Sequence, residues 1–413
     1  MPGTPREPFD AAVTGVGMVT AAGVGTAVCW ERVCEAAGTA AAQVPGLAAV
    51  PARFGCPVPG FDGAALIGRR KAWRLDRCNQ FALVAAAEAV ADAGLDTDTW
   101  DGARVGVVLG CGLGGAASWE KQYDVLREQG PERVSPLLIP LLAPNMSAGH
   151  IALELGARGP NLVTATACAS GTTAVGTARE LLRSGACDVV VTGGTEACMT
   201  PSLATGFSQM GALSARHDDI TGASRPFDAQ RDGFVLAEGA AVLVLERPED
   251  ARARGARVRA RVSGYGASAD AHHPTAPDPE GAGAELALRA ALADADLGPQ
   301  DIDHVNAHGT STPLNDVTEA RLVRRVLGER PSVTSVKGVL GHALGAAGAI
   351  EAALTALTVE HGLVPPTANL DSQDPQAEID VVAKAPREGE VRAAVSNSFG
   401  FGGQNAVLLL TAA

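Results

Sequence analysis

The chain of 413 residues is 46% hydrophobic and 19% charged, with 49 glycines, 78 alanines and 4% aromatic residues. This composition excludes general disorder and predicts a large core built by close backbone approach rather than by bulky side chains. A net charge of −13 excludes a broad affinity for nucleic acid or anionic membrane, and the length fits two or three domain-sized units or two fused halves.

Met1–Asp10 is Pro-rich and polar, without the basic segment and apolar run of a secretion signal. No run reaches the ~18 apolar residues of a membrane span. The eight cysteines form no CxxC pair, so a reduced, soluble, cytoplasmic protein is expected. Ala11–Thr20 reads as a buried strand, Phe81–Ala93 as a helix closed by Gly94, and Arg104–Leu109 as a strand entering the turn Gly110–Gly115. Pro136–Pro144 is apolar but broken by prolines. Thr173–Ser184 reads as a helix, with strands at Asp188–Thr192 and Ala240–Leu245. From about residue 258 the order restarts: strand Val258–Gly264, helix Gly283–Ala295, short strand His304–Ala307, helix Gly345–Gly362, and strands Arg392–Ser396 and Ala406–Leu410. Short apolar strands alternating with helices predict an α/β protein with mostly parallel sheets covered on both faces, and the restart hints at a duplicated unit.

Four segments carry residues suited to chemistry. In Thr164–Gly171 (TATACASG), Cys168 follows an extended stretch and precedes a small-residue helix, where backbone N–H groups favour a thiolate and supply oxyanion donors; an inert buried cysteine fits equally. Asn306–Thr312 (NAHGTST) puts His308 at a strand end, the usual working edge of an α/β fold, or a satisfied structural histidine. Lys337–Gly348 (KGVLGHALGAAG) joins one of only four lysines to His342, and its glycines also suit plain helix packing. Asn397–Asn405 (NSFGFGGQN) suits either an aromatic gate or a tight buried turn. Together they supply one thiol and two imidazoles, the requirements of nucleophilic thiol chemistry with oxyanion stabilisation. No segment has metal-ligand spacing, and no phosphate-binding or dinucleotide motif is present.

In this order and spacing the four segments resemble the β-ketoacyl-acyl carrier protein synthases of the thiolase superfamily, across Ala11 to Leu410, with support from Ser224–Glu238 and Val364–Asp371. The sub-type resembles the elongating enzymes with a Cys-His-His triad. The resemblance implies a thiolase-like five-layered αβαβα fold of two similar halves, here 1–257 with the nucleophile and 258–413 with both histidines, acting as a homodimer or beside a chain-length-factor-like subunit. It implies that Cys168 accepts an acyl chain from the phosphopantetheine arm of an acyl carrier protein, with no cofactor or metal bound. Malonyl-carrier protein would then lose CO₂, and the carbanion would attack the Cys168 thioester. His308 and His342, as neutral imidazoles, would stabilise the enolate, with Lys337 and its partner Glu351 positioning them. The oxyanion hole would be the N–H groups of Cys168 and Phe401, with Phe401 and Phe207 as a gate. Thr310, Thr312, His273 and Thr275 would meet the pantetheine, and Leu113 and Leu138 the acyl chain, with Leu137 or Leu138 contributed by a dimer mate.

Chain-length factors resemble these enzymes but lack the nucleophile, whereas this chain keeps Cys168, both histidines and Lys337. Thiolases fit less well, because they use a second cysteine near the C-terminus and none follows Cys198. Three departures stand out: Gly211 where relatives often carry Arg, Gly-Val-Leu after Lys337, and HGTST where aromatic-polyketide synthases carry HGSGT. With the Arg- and Ala-rich composition they favour a fatty-acid-like synthase recruited to a type II polyketide pathway over housekeeping fatty-acid elongation. Carrier proteins are acidic, so docking on a chain of net charge −13 needs a basic patch; Arg69, Arg70, Lys71 and Arg74, with Arg133, are the candidates.

Overall fold

The computed structural model describes residues 9–36 and 42–413, so the polar start lies outside the described residues up to Pro8. Among the described residues the main sheet has twelve strands; two are two-residue pieces, Gly23–Val24 beside the first strand and Asp380–Val381 at one edge, and the other ten are β1 (Ala11–Thr20), β2 (Val105–Gly110), β3 (Asn161–Thr164), β4 (Val189–Ala197), β5 (Glu238–Glu246), β6 (Ala260–Ala269), β7 (His304–Asn306), β8 (Ser332–Thr334), β9 (Ala393–Gly400) and β10 (Gln404–Thr411). In the first half the order is β3-β2-β4-β5-β1, and in the second β8-β7-β9-β10-β6, the same 3-2-4-5-1 path twice. Pairing repeats too. The first three strands of each path are parallel, and the last two join antiparallel. The expectation of mostly parallel sheets is therefore corrected to a mixed sheet. The predicted strands at the β4–β5 and β9–β10 positions were found, but their mutual direction is set by connections that hydrophobic runs do not encode. The halves meet where Ala11–Val13 pairs antiparallel with Ala260–Val262.

Seven helices build the layers: α1 (Arg77–Asp92), α2 (Ala116–Gln129), α3 (Met146–Leu155), α4 (Ser170–Arg183), α5 (Ala282–Asp294), α6 (Pro313–Leu327) and α7 (Ala347–His361). Helices α1 and α3 cover one outer face, α5 and α6 the other, and α4 and α7 lie side by side between the two halves of the sheet. The result is the five-layered αβαβα arrangement. In α7 every residue from Ala347 to Val359 is buried, as a helix apolar on all sides must be. Strand β1 is buried along its whole length because both its faces are covered. No helix among the described residues is long and apolar enough to cross a membrane.

Small residues permit this stacking. A Cβ on Gly15 or Gly17 of β1 would lie 2.0 Å from a carbonyl oxygen of α1, at Ala89 or Ala85. The second half repeats the device: a Cβ on Gly264 or Gly266 of β6 would lie 2.3 or 2.0 Å from the Ala291 or Ala287 carbonyl of α5. Backbone oxygen cannot rotate aside, so Gly17→Ala and Gly266→Ala must lift a helix off its strand. Each should cost about 1–3 kcal/mol or more in urea unfolding. Gly206→Ala, with nothing within 4 Å of its Cβ, should cost nothing.

Candidate active site

The two central helices open alike. Ala167–Ala169 precedes α4 and Leu344–Ala346 precedes α7, each a single tight turn whose first residue has positive φ, 49° at Ala167 and 48° at Leu344. Left-handed backbone in a non-glycine residue is strained, and here it marks the site. Cys168 sits in the first turn. His342 stands two residues before the second, its backbone N–H donating to Val235 O at 2.8 Å and its C=O accepting from Ala237 N at 3.0 Å. His308 follows the C-terminal end of β7, where its N–H and that of Gly309 donate to the Glu319 carboxylate, each at 2.8 Å.

These placements bring three side chains from distant parts of the sequence together. Nε2 of His342 is 3.1 Å from Sγ of Cys168, and the ring centroids of His308 and His342 are 5.5 Å apart, edge to face. Lys337 is buried behind them. Its ammonium contacts the Glu351 carboxylate, donates to the His308 carbonyl at 2.5 Å and approaches Nδ1 of His308 at 3.4 Å. An ammonium has no lone pair, so Nδ1 must accept and the ring proton sits on Nε2. His308 is thereby fixed as a donor on its far side. Among the described residues nothing hydrogen-bonds Nδ1 of His342, so its tautomer is not fixed in the same way.

Electrostatics follow from burial and this one cation. Burial holds both imidazoles well below the usual histidine range, and the Lys337 charge pushes them further down; both are neutral. Burial raises Cys168 to about 11, against the pull of Lys337 and of the Phe401 N–H. The resting group is therefore a thiol, not the thiolate that a helix start suggests, because desolvation outweighs the donors. Glu351 is raised by burial to about 7, with Lys337 holding it down. Cys168, His308 and His342 have ligand atoms within 4.8 Å of one another, the one such group of three among the described residues. A proton fixed on Nε2 of His308 and an adjacent ammonium make it a poor metal site; the set is built to donate to an oxygen.

A cavity of about 440 Å³ runs from Cys168, His308 and His342 past Phe207, Phe234 and Phe401 to Thr275, Thr310 and Thr312. Phe401 lies at the tip of the β9–β10 hairpin, closed by Gly402 and Gly403 at positive φ, with its ring 6.4 Å from that of Phe207. The predicted gate pair and three of the four predicted pantetheine residues thus share one wall. His273 does not join them: it is exposed, and its Nδ1 accepts from the N–H groups of Thr275 and Ala276, shaping the loop. Leu113 and Leu138 are also outside this wall, Leu113 being 40% exposed beside α2 and Leu138 lying in the short helix Leu138–Leu142. Arg70, Lys71 and Arg74 line a separate cavity of about 590 Å³ with His150 and Leu153, and Lys71 pairs with Glu154 at 2.7 Å. Arg133 is in the turn Pro131–Arg133 and does not line it. Sequence reading missed Phe234, whose ring packs edge-on to His342 at 5.2 Å, and Glu319, which also accepts from Asn397 Nδ2 at 3.0 Å. The signal for Glu319 was its spacing from Asp316, two acids three apart on the buried face of α6.

A buried thiol beside two neutral imidazoles, at the joined starts of the two central helices, defines a thiol-dependent acyl-transfer enzyme of the thiolase-like class. Comparison with known proteins narrows the class. Residues 9–251 match the Beta-ketoacyl synthase, N-terminal domain, and residues 259–371 the Beta-ketoacyl synthase, C-terminal domain. The chain is 45% identical over 359 residues to 3-oxoacyl-[acyl-carrier-protein] synthase 2 of Synechocystis sp., covering 86% of each protein. It is 45% identical over 346 residues to the enzyme of the same name from Staphylococcus aureus, covering 83% of each. Among solved structures, the ishigamide ketosynthase/chain length factor superposes with a TM-score of 0.90 at 35% identity, and a β-ketoacyl synthase from Burkholderia phymatum with 0.91 at 34%. A type II polyketide ketosynthase bound to its acyl-carrier protein and a hexaketide gives 0.90 at 31%. Each of the three superpositions covers 98% of this chain and all of the other. The chain belongs to the β-ketoacyl synthase family and is a ketosynthase.

With the thiol near 11, its alkylation by iodoacetamide should rise about tenfold per pH unit from pH 7 to 9 without a plateau. Mass spectrometry of the Cys168 peptide reads this directly, and a plateau near pH 7 would mean a thiolate already formed.

Proposed function

We propose that this chain carries out the decarboxylative Claisen condensation of malonyl-acyl carrier protein with an acyl chain held on Cys168, giving a β-ketoacyl-carrier protein. The observation that carries the proposal is the Cys168–His342–His308 constellation with Lys337 behind it. In the first half-reaction Sγ attacks the acyl thioester carbonyl as its proton passes to Nε2 of His342. That proton then goes to the departing pantetheine sulfur, leaving an acyl-Cys168 thioester and a free carrier thiol. In the second, the ring proton of His342 moves from Nδ1 to Nε2 by exchange with solvent, and malonyl-carrier protein binds with its thioester oxygen against the Nε2–H groups of His308 and His342. The C–CO₂ bond breaks, CO₂ departs, and the electron pair becomes an enolate held by those donors. The enolate carbon attacks the acyl carbonyl, whose oxyanion meets the N–H groups of Cys168 and Phe401; collapse breaks the C–S bond and releases the Cys168 thiolate, which takes a proton from solvent to restore the thiol. Lys337 acts through His308 and Glu351 as a positioning residue.

The phosphopantetheine arm is read as entering past Thr275, Thr310 and Thr312, the residues that line the cavity between Cys168 and its rim. An acidic carrier is read as docking on Arg70, Lys71 and Arg74, with Arg133 as a more distant contact. The halves 1–257 and 258–413 are read as the two units of the fold, and the chain as one subunit of a dimer, homodimeric or paired with a chain-length-factor-like mate. Two features support a partner: α2 has no buried residue yet carries Trp119, Tyr123 and Leu126, and the sheet's edge strand β3 leaves Leu162 44% exposed. Leu113 and Leu138, away from the cavity wall in the single chain, are read as meeting the acyl chain in that assembly.

For the pathway, we read the chain as a fatty-acid-type elongating synthase working in a type II polyketide pathway. Its 45% identity to 3-oxoacyl-[acyl-carrier-protein] synthase 2 supports the enzyme type, and its likeness to the ishigamide and type II polyketide ketosynthases supports the setting. The higher of those identities favours the second reading, housekeeping fatty-acid elongation.

Incubating the purified chain with malonyl-carrier protein and a series of acyl-carrier proteins tests the reaction. Cys168→Ala should abolish acylation and elongation, and continued elongation would overturn the mechanism; absence of acylation and elongation in the parent chain would favour a non-catalytic partner subunit. His308→Ala should lower CO₂ release by about 10²–10³-fold while Cys168 is still acylated. Unsaturated acyl-carrier proteins should prime as well as saturated ones in the polyketide setting and poorly in housekeeping elongation.

A further inference from the structure

One buried carboxylate outside the catalytic set ties together two turns from the two halves of the molecule. Glu196, near the end of β4, is fully buried. Its Oε2 accepts from the Gly112 N–H at 2.8 Å and its Oε1 from the Leu113 N–H at 3.3 Å, in the loop that leaves β2. The Cys198 thiol donates to the same carboxylate at 3.2 Å. Gly345, from the other half of the molecule, packs directly against the same carboxylate. Gly345 lies in the strained turn that follows His342, next to Leu344, which lines the catalytic cavity.

Packing at this junction leaves no slack. A Cβ on Gly345 would lie 2.6 Å from Oε2 of Glu196 and 2.6 Å from the Gly112 nitrogen, and a Cβ on Gly112 would lie 2.8 Å from the same oxygen. Two glycine turns from different halves are pressed against one carboxylate, and only an acceptor with several lone pairs satisfies all their donors. A carboxamide of the same shape offers one acceptor oxygen and turns an NH₂ toward N–H groups, leaving at least one buried donor unpaired.

We propose that Glu196 is a positioning residue that fixes Leu113 relative to Leu344 and thereby sets which acyl lengths Cys168 accepts. The inference rests on the reading of Cys168 as acyl acceptor and of Leu113 as an acyl-chain contact. It assigns Glu196 no contact with substrate. Its effect reaches the acyl chain through two backbone turns, and its two oxygens serve because N–H and thiol donors converge on them.

The test compares Glu196→Gln, Glu196→Asp and Gly345→Ala with the parent chain. Each is given octanoyl- and hexadecanoyl-carrier protein, and acylation of Cys168 is followed by mass spectrometry. In Glu196→Gln the kcat/KM ratio between the two lengths should move at least fivefold, and hydrogen exchange at the Gly112, Leu113 and Gly345 amides should quicken while the β4 and β5 amides keep their protection. Gly345→Ala, which crowds the same carboxylate, should move the ratio in the same direction, and Glu196→Asp should restore part of it. An unchanged ratio in a folded Glu196→Gln chain overturns the proposal, as does a loss of protection spread over the whole sheet. Absence of acylation in the parent chain would overturn the reading of Cys168 instead, so the two failures are distinguishable.

Discussion

The site depends on an ammonium group buried where no solvent can reach it. Lys337 is 1% exposed, and a lone cation there would cost several kcal/mol in lost hydration. Glu351 and the His308 carbonyl offset that cost beside two imidazoles. Its charge then does what burial alone does less completely: it keeps both rings neutral, and by donating to Nδ1 it turns the His308 proton outward. A protonated imidazole in the resting site would be the wrong acid for an enolate that must go on to react as a carbon nucleophile. The ion pair is thus weak evidence for stability and strong evidence for function.

The second constraint is geometric. Cys168 and the two histidines come from opposite halves, so their mutual distance is set by how α4 and α7 pack between the sheets. That packing admits almost no error, since a Cβ on Gly171 would lie 2.4 Å from the Ala349 nitrogen and one on Gly348 would lie 2.1 Å from the Thr172 hydroxyl oxygen. Alanine and glycine are abundant because helix meets strand and helix meets helix at backbone distance in every layer. The composition that first excluded disorder is the signature of this stacking.

Much of the chain was legible because its elements are buried on all sides. Ala11–Thr20 matches β1 residue for residue, and the helices read from 81, 173, 283 and 345 fall within a few residues of their observed bounds. Of the seven layer helices, three escaped. Ala116–Gln129 buries none of its residues, so no apolar face marks it; Pro313–Leu327 begins on a proline and sets Asp316 and Glu319 on its buried side. Met146–Leu155 follows the proline-broken stretch that concealed its start. The four chemical segments were visible because glycine, cysteine and histidine concentrate in them. The residues that hold them, Glu319 and Glu196 above all, were not, because a buried carboxylate is recognised by the N–H groups converging on it, and those come from turns scattered through the sequence. Strand direction was lost for the same reason, being a property of connections.

The repeated turn has a consequence beyond catalysis. In the first half it carries Cys168 after Ala167, and in the second it carries Gly345 after Leu344, with nearly the same strained backbone. One molecule therefore already contains the same scaffold folded with a thiol and without one. The architecture does not rely on that thiol, so a gene copy that loses the cysteine keeps its shape. Inert companions of such enzymes are then a single codon change away, and the fold offers no resistance to their arising.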